Sequence, residues 1–361
     1  MEKKKKITLI ISLSLVSAFI TYFGGGLIAT AVVNENLINV RGSTIETLKE
    51  DDFYRIQYIR EDYDSLKERE EIPFKCNKNT LMGYLYTVEN PKGVIITAHG
   101  INALADGSHA QFHDYMVRNN WDVFSFDMTG CGRSSGKGMK TLFESRYCVI
   151  NAVKTVQKHE KTKDLPICLL GHSWGAYGVV TASKEFPEIK AVASFSGFNQ
   201  PAEIMYGFAE YYASPAVIVT KPSLDLALYT LFGDPAFYVA SSVVRSNKGT
   251  NYIVVHGDRD EVVPLKTYSL YDNVANRGLA NVTSLLIEDS GHVGPWKTNE
   301  SNHYIDDVLM AHMDDLHKQY PEGIPEDVYN EYINSIDKEK SSAINTDLFD
   351  QIFTIFENSY K

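Results

Sequence analysis

No Cys-x-x-Cys pair occurs anywhere in the 361 residues, and the four cysteines (Cys76, Cys131, Cys148 and Cys168) stand singly, with no Cys/His ligand spacing. That excludes a zinc-ribbon reading and gives no disulfide framework. Cys148 and Cys168 fall in a helical and a strand pattern, where cysteine behaves as a small buried hydrophobe. His109-x-x-x-His113 is the one pair at that spacing, and it lacks the glutamate of a His-Glu-x-x-His site, so a metallohydrolase is not expected. No Gly-Lys-Ser follows a glycine-rich loop, so there is no phosphate cradle. Neither a metal nor a cofactor is expected. Positive charge is in short supply: 35 basic against 46 acidic residues, a net of −11. Without Glu2 and Lys3–Lys6 the remainder holds 31 and 45, a net of −14. An acidic body repels phosphate backbones, so nucleic acid is excluded as a partner.

One absence is local. From Ile7 to Val33 the chain carries 27 residues without a charge, directly after the basic cluster Lys3–Lys6. That exceeds the roughly 20 residues a bilayer requires. The basic flank places the amino end in the cytoplasm and sends the rest across. Residues 1–33 are therefore expected to be a single-pass membrane anchor with the remaining chain outside. A cleaved signal is the alternative, with Ile7–Phe23 as its apolar region and Ala29-Thr30-Ala31 as its cleavage site, which would release a secreted protein.

What is present has a clear rhythm. Residues 34–69 are polar and charged and read as a stem. Two strand-like runs, 71–76 and 80–88, flank Asn77-Lys78-Asn79 as a hairpin. Apolar runs then alternate with helical patterns: strands at 94–98, 123–126, 167–170, 191–195, 252–255 and 284–287. The spacing predicts helices opening with the capping boxes Ser108-x-x-Gln111 and Thr141-x-x-Glu144, another running from Pro264 to Gly278, and three more near 302–318, 324–337 and 346–358. The last carries Leu348, Ile352, Ile355 and Phe356 as one stripe that should dock on the sheet. Strands apolar on both faces, alternating with helices, imply an α/β fold: a mostly parallel sheet with helices on both faces. Residues 70–361 make one domain, interrupted at about 198–249 by an apolar, aromatic-rich insertion expected as a helical cap.

Ligands of such sheets bind beyond the carboxyl ends of the strands, and the chemistry-bearing residues fall there. The strand 167–170 runs into Gly171-His172-Ser173-Trp174-Gly175 and then a helix of small residues. This Gly-x-Ser-x-Gly turn suits a nucleophile: the glycines let strand and helix approach around a strained serine, and the helix start aims N–H groups at a developing oxyanion. HGDRDEVVP follows the next-to-last strand, and IEDSGHVGP follows the last.

From about residue 70 onward the chain resembles the α/β-hydrolase superfamily, in its monoacylglycerol-lipase and serine-aminopeptidase branch. The resemblance implies a Ser…Asp…His order: Ser173 as nucleophile, Asp260 as acid with Asp258 in reserve, and His292 as base. It assigns the oxyanion hole to the backbone N–H groups of Ile101, in His99-Gly100-Ile101, and of Trp174, and leaves His99 and His172 with structural roles. Asp127–Ser134 resembles the family's D-x-x-G-x-G-x-S loop on the site floor. Two departures stand out: Trp174 after the nucleophile, which would narrow the acyl pocket, and a slightly long loop from Asn102 to Ser108. The implied activity is a serine hydrolase cleaving carboxylic esters of apolar acyl groups through an acyl-enzyme. An aminopeptidase, using Glu203, Glu210 and Asp225 of the cap to hold a free amine, stays open, as do a thioesterase and a non-catalytic binding protein. The expected partner is a small ester or short peptide.

Overall fold

The computed structural model describes residues 2–44, 46–47, 51–105, 107, 109–213 and 221–361. β1 (Glu70–Cys76) and β2 (Asn79–Tyr86) form the antiparallel hairpin, with Cys76 opposite Asn79 across the turn. β3 (Val94–Ala98), β4 (Asp122–Phe126), β5 (Ile167–His172) and β6 (Ala191–Phe195) are buried at every position. β7 (Asn251–Gly257) and β8 (Val282–Ile287) complete one sheet in the order β1-β2-β4-β3-β5-β6-β7-β8. Only the pairs made by β2 are antiparallel; from β4 to β8 every pairing is parallel. This is the α/β-hydrolase fold.

Each face of the sheet is covered. Helices Glu144–Val156 and Trp174–Ala182 close one side, with Cys148, Val153, Tyr177 and Val180 in its core. Helices Ala110–Arg118 and Thr346–Asn358 close the other, where Phe112, Trp121, Phe195, Phe349 and Ile352 pack together. The last helix starts on an Asn345 cap, whose side chain accepts from the Leu348 N–H, and sinks Leu348, Ile352 and Phe356 into the core. At roughly 1.5–3 kcal/mol for each such side chain removed from water, the docking of this helix is a large share of the stability of that face.

Two helix starts differ from the sequence reading. Helix Glu144–Val156 begins on Phe143, and the Thr141 hydroxyl, buried without a partner, caps nothing. After Pro264 the chain runs as turns; the helix starts only at Leu270, where the Ser269 hydroxyl accepts from the Asp272 N–H. In both places tertiary packing fixes the backbone more strongly than the local cap signal. Ser108, of the other expected box, lies outside the described residues; that helix begins at Ala110.

The amino-terminal helix Glu2–Val33 includes most of a stretch, Leu13–Asn36, long and apolar enough to cross a membrane, a test that signal sequences also pass. It lies against helix Lys221–Phe232 of the insertion, where the Ser223 hydroxyl donates to Tyr22 O at 2.8 Å. The following segment is held to the domain. Arg41 donates to the carbonyls of Gly132, Ser134 and Gly136, Ile56 packs with Ile305 and Leu309, and the Tyr58 N–H donates to the Ser342 hydroxyl.

Candidate active site

Three side chains meet above the carboxyl ends of β5, β7 and β8. Ser173 sits between β5 and helix Trp174–Ala182 with φ 54° and ψ −114°, a left-handed conformation that holds its side chain out of both elements. Tight contact makes the turn possible. A Cβ on Gly175 would lie 2.1 Å from Ala98 O, and one on Gly171 would lie 2.5 Å from the Gly175 backbone. Only glycine lets β3, β5 and the helix converge here.

His292, in the loop after β8, places Nε2 2.8 Å from Ser173 Oγ. Its Nδ1 lies 2.8 and 3.0 Å from the two carboxylate oxygens of Asp260. Asp260 Oδ1 also accepts the N–H groups of Val262 and Val263. Burial pushes this carboxyl up. The hydrogen bond and charge of His292, the Val263 N–H and nearby His256 together outweigh that and hold it below the usual carboxylate value. Asp258 is engaged elsewhere, accepting the Ser290 N–H. The aspartate facing the imidazole is Asp260.

The neighbouring histidines hold backbone. His172 Nε2 donates to His292 O at 3.0 Å, and the Ser196 hydroxyl donates to the same carbonyl. Burial pushes the His172 imidazole down to about 3, so it stays neutral. His99 Nε2 accepts the Met128 N–H at 3.0 Å, which leaves Nδ1–H to donate to Gly100 O at 2.7 Å. Because a trans peptide sets its N–H opposite its C=O, this bond turns the Ile101 N–H away from His99. The Trp174 N–H, at the first position of its helix, has no partner within the helix. Asp127 organises the floor, accepting from Tyr84 Oη, Ala105 N and Arg133 N. Gly132, at φ 48°, would drive a Cβ to 2.3 Å from that carboxylate.

A cavity of about 420 Å³ opens on Ser173 and His292. Its walls are not those the sequence suggested. They come from Asp51, Tyr54, Gln57 and Tyr58, from the loop after β3, from Gln111, and from Val262, Val293 and Trp296; no described residue of 198–249 lines it. Among the described cap carboxylates, Glu203 is paired with Asn199 and Asp225 with the Tyr206 hydroxyl, and burial raises both. The side chain of Glu210 lies outside the described residues. Trp174 does not narrow the cavity either: its indole is fully buried and donates to Leu142 O at 2.7 Å. Tyr54, Gln57 and Trp296 were invisible to pattern reading, since their segments carry no motif.

One group among the described residues has the donor atoms for a metal. Cys76, Glu144 and Cys148 bring ligand atoms within 4.8 Å of one another, but they share no residue with the Ser173 cavity.

Comparison with known proteins agrees with this architecture. The family model described as serine aminopeptidase, S33, matches residues 89–231. No curated protein sequence matches the chain. Among solved structures it is similar to the Pyrococcus furiosus esterase Pf2001, at 17% identity and a TM-score of 0.52, over 73% of this chain and 96% of that one. It is also similar to Est1E from Butyrivibrio proteoclasticus with ferulic acid bound (19%, TM-score 0.48, 67% and 99% covered). The mouse α/β hydrolase domain-containing protein 10 gives 18% and a TM-score of 0.45, over 70% and 99%.

Proposed function

We propose that the chain is a serine hydrolase of the α/β-hydrolase superfamily, to which the family match over residues 89–231 and the shared fold point, and that it acts as a membrane-anchored carboxylic-ester hydrolase with Ser173, His292 and Asp260 as its catalytic triad. The observation that carries this reading is the unbroken hydrogen-bond chain from Ser173 Oγ through both imidazole nitrogens to Asp260. His292 Nε2 takes the hydroxyl proton as Ser173 Oγ attacks the ester carbonyl, and the ionised Asp260 stabilises the imidazolium. The N–H groups of Ile101 and Trp174 receive the oxyanion. His292 then protonates the leaving alcohol, and water, activated the same way, hydrolyses the acyl-enzyme.

Ester chemistry fits a cavity whose walls include Tyr54, Ile101, Val262 and Val293. The matched family's description keeps an aminopeptidase as the second reading, which needs a carboxylate facing the substrate amine. Asp51 is the one carboxylate among the described lining residues, and its Oδ1 already accepts the Tyr54 N–H.

In this reading residues 1–33 are an uncleaved anchor with a cytoplasmic amino end, 34–69 a stem, and 70–361 the extracytoplasmic hydrolase domain with its cap at about 198–249. The protein should stay with membranes through carbonate extraction; a mature chain beginning at Val32 and free in the medium would establish cleavage instead.

The catalytic assignment is tested with p-nitrophenyl esters, thioesters and aminoacyl-anilides run side by side, and with a fluorophosphonate probe. Ser173→Ala, His292→Ala and Asp260→Asn should each lower esterase kcat by about 10³ or more, with the probe attached at Ser173 only. Full activity in Ser173→Ala would sink the assignment, and faster cleavage of unblocked anilides than of esters would promote the peptidase.

A further inference from the structure

Cys76, Glu144 and Cys148 form a group that the ester chemistry leaves unused. Glu144 and Cys148 stand one turn apart on helix Glu144–Val156, so their side chains leave the same face. That face meets β1, whose last residue is Cys76. One donor atom from each of the three lies within 4.8 Å of the other two. Both cysteines are wholly buried and Glu144 is 4% exposed.

The protein's own contacts serve this group poorly. The two thiols hydrogen-bond to each other, and the Thr129 hydroxyl stands between Cys148 Sγ, at 3.4 Å, and the Glu144 carboxylate. The hydrogen bonds that Glu144 Oε1 receives from Asn77 Nδ2 and Lys140 Nζ are long, 3.4 Å each. Without an ion, burial pushes the Glu144 carboxyl and the Cys148 thiol up, because three ionised groups cannot share so small a buried space uncompensated.

Donor chemistry selects the compensating ion. Two thiolate sulfurs are too soft for magnesium or calcium, and a carboxylate oxygen is too hard for copper(I); the mixture suits zinc. A tetrahedral zinc, with Zn–S about 2.3 Å and Zn–O about 2.0–2.2 Å, spaces its ligands roughly 3.5–4 Å apart, inside the limit the three atoms already meet. The charges also close. Two thiolates and a carboxylate carry three negative charges; zinc offsets two, and the Lys140 ammonium beside Glu144 offsets the third.

We propose that Cys76, Glu144 and Cys148 bind a zinc ion that ties the β1–β2 hairpin to helix Glu144–Val156. The two thiols release their protons to solvent as two Zn–S bonds form, Glu144 binds through a carboxylate oxygen, and no electron is transferred. Three protein ligands leave the fourth tetrahedral position to a water that enters with the ion. Since the group is closed to solvent, the ion enters while hairpin and helix come together during folding, and is held afterwards. No sequence spacing announces such a site, because one ligand comes from a strand end and the other two from one helix face. The site goes beyond the ester-hydrolase reading and does not depend on it.

The test uses full-length protein without a histidine tag, made in cells grown with added zinc, held in detergent and passed over a chelating resin. Elemental analysis should find about one zinc per chain. X-ray absorption at the zinc edge should show two sulfur neighbours at about 2.3 Å and oxygen for the rest. That spectrum needs no variant, so a mutant that fails to fold does not decide the matter. Cys76→Ser and Cys148→Ser should each keep about a tenth of the zinc or less, whereas Cys131→Ser and Cys168→Ser, which alter buried thiols outside the group, should keep all of it. Zinc-free wild type overturns the site. So does zinc surrounded by histidine nitrogens, zinc retained in both Cys76→Ser and Cys148→Ser, or a Cys76–Cys148 disulfide in the unreduced peptides. Esterase activity enters none of these readings, so loss of the triad assignment leaves the zinc site standing, and the reverse.

Discussion

Gly175 shows how little freedom the nucleophile turn leaves. The atom its missing side chain would strike, Ala98 O at 2.1 Å, belongs to the backbone of a central strand and has no rotamer to change. At Gly178, one turn further along the helix, the nearest atoms belong to Ser145 at 3.0 Å, a contact that a small shift relieves. Gly175→Ala should therefore cost about 3 kcal/mol or prevent folding, and Gly178→Ala distinctly less. Thermal midpoints decide it: equal midpoints would contradict the close approach of β3. The cysteines give a second prediction at this scale. All four are buried, and burial raises the thiols of Cys131 (to about 12), Cys148 and Cys168. Cys76 is held lower by a hydrogen bond with Cys148, but it has no route to solvent. A water-soluble disulfide reagent should leave the native protein untouched and titrate four thiols once it is unfolded. Prompt reaction of even one native thiol would contradict that burial.

Elements differ in how plainly they are written in the chain. β3, β5 and β6 are short apolar runs bounded by loops, and a strand buried on both faces needs nothing more. Helix Thr346–Asn358 was equally legible, because its stripe repeats at helical spacing. Ser173, Asp260 and His292 could be singled out because each follows a strand in a short motif resembling that of the α/β hydrolases. The cavity wall could not. Asp51–Tyr58 looks like a polar stem, yet Ile56 is buried against Ile305 and Leu309, and Ser341 Oγ donates to Ile56 O. Those contacts span more than 240 residues and have no local signature. The consequence is testable by shortening the chain. A protein beginning at residue 39 should keep esterase kcat/KM within about threefold. One beginning at residue 60 loses Tyr54, Gln57 and Tyr58 from the cavity and uncovers Ile305 and Leu309; it should lose activity by about tenfold or more and unfold at lower temperature. Equal activity of the two would remove the segment from the site.

The molecule as a whole stores an acid sensitivity in its buried imidazoles. His113 donates or accepts at Thr97 Oγ1, 2.9 Å away, and burial pushes it down to about 3, as it does His172. His109 is lowered well below the ordinary value, first by burial and then by the neighbouring imidazoles of His172, His113 and His99. In the unfolded chain each of these titrates near 6.5. Between that value and about 3 the unfolded state therefore binds more protons than the folded one, and stability must rise with pH. The contribution is complete above about pH 6.5 and is lost progressively as pH falls toward 3. Each histidine adds about 1.4 kcal/mol per pH unit within the window, so His109, His113 and His172 together contribute roughly 4 kcal/mol per unit to the slope. The lowered Asp260 acts with the same sign, but only below the ordinary carboxylate range, where its partnership with His292 is lost. Buried carboxyls raised by burial, such as Glu144 and Asp122, act with the opposite sign, so the histidine contribution is read from urea unfolding between pH 4.5 and 6.5 as a difference between wild type and a histidine variant. Replacing His113 by Gln removes one proton from the balance and should lower the slope by about 1.4 kcal/mol per unit, whatever it does to stability at neutral pH. An unchanged slope in His113→Gln would mean that this imidazole titrates alike in both states, and that the interior around β3 admits charge.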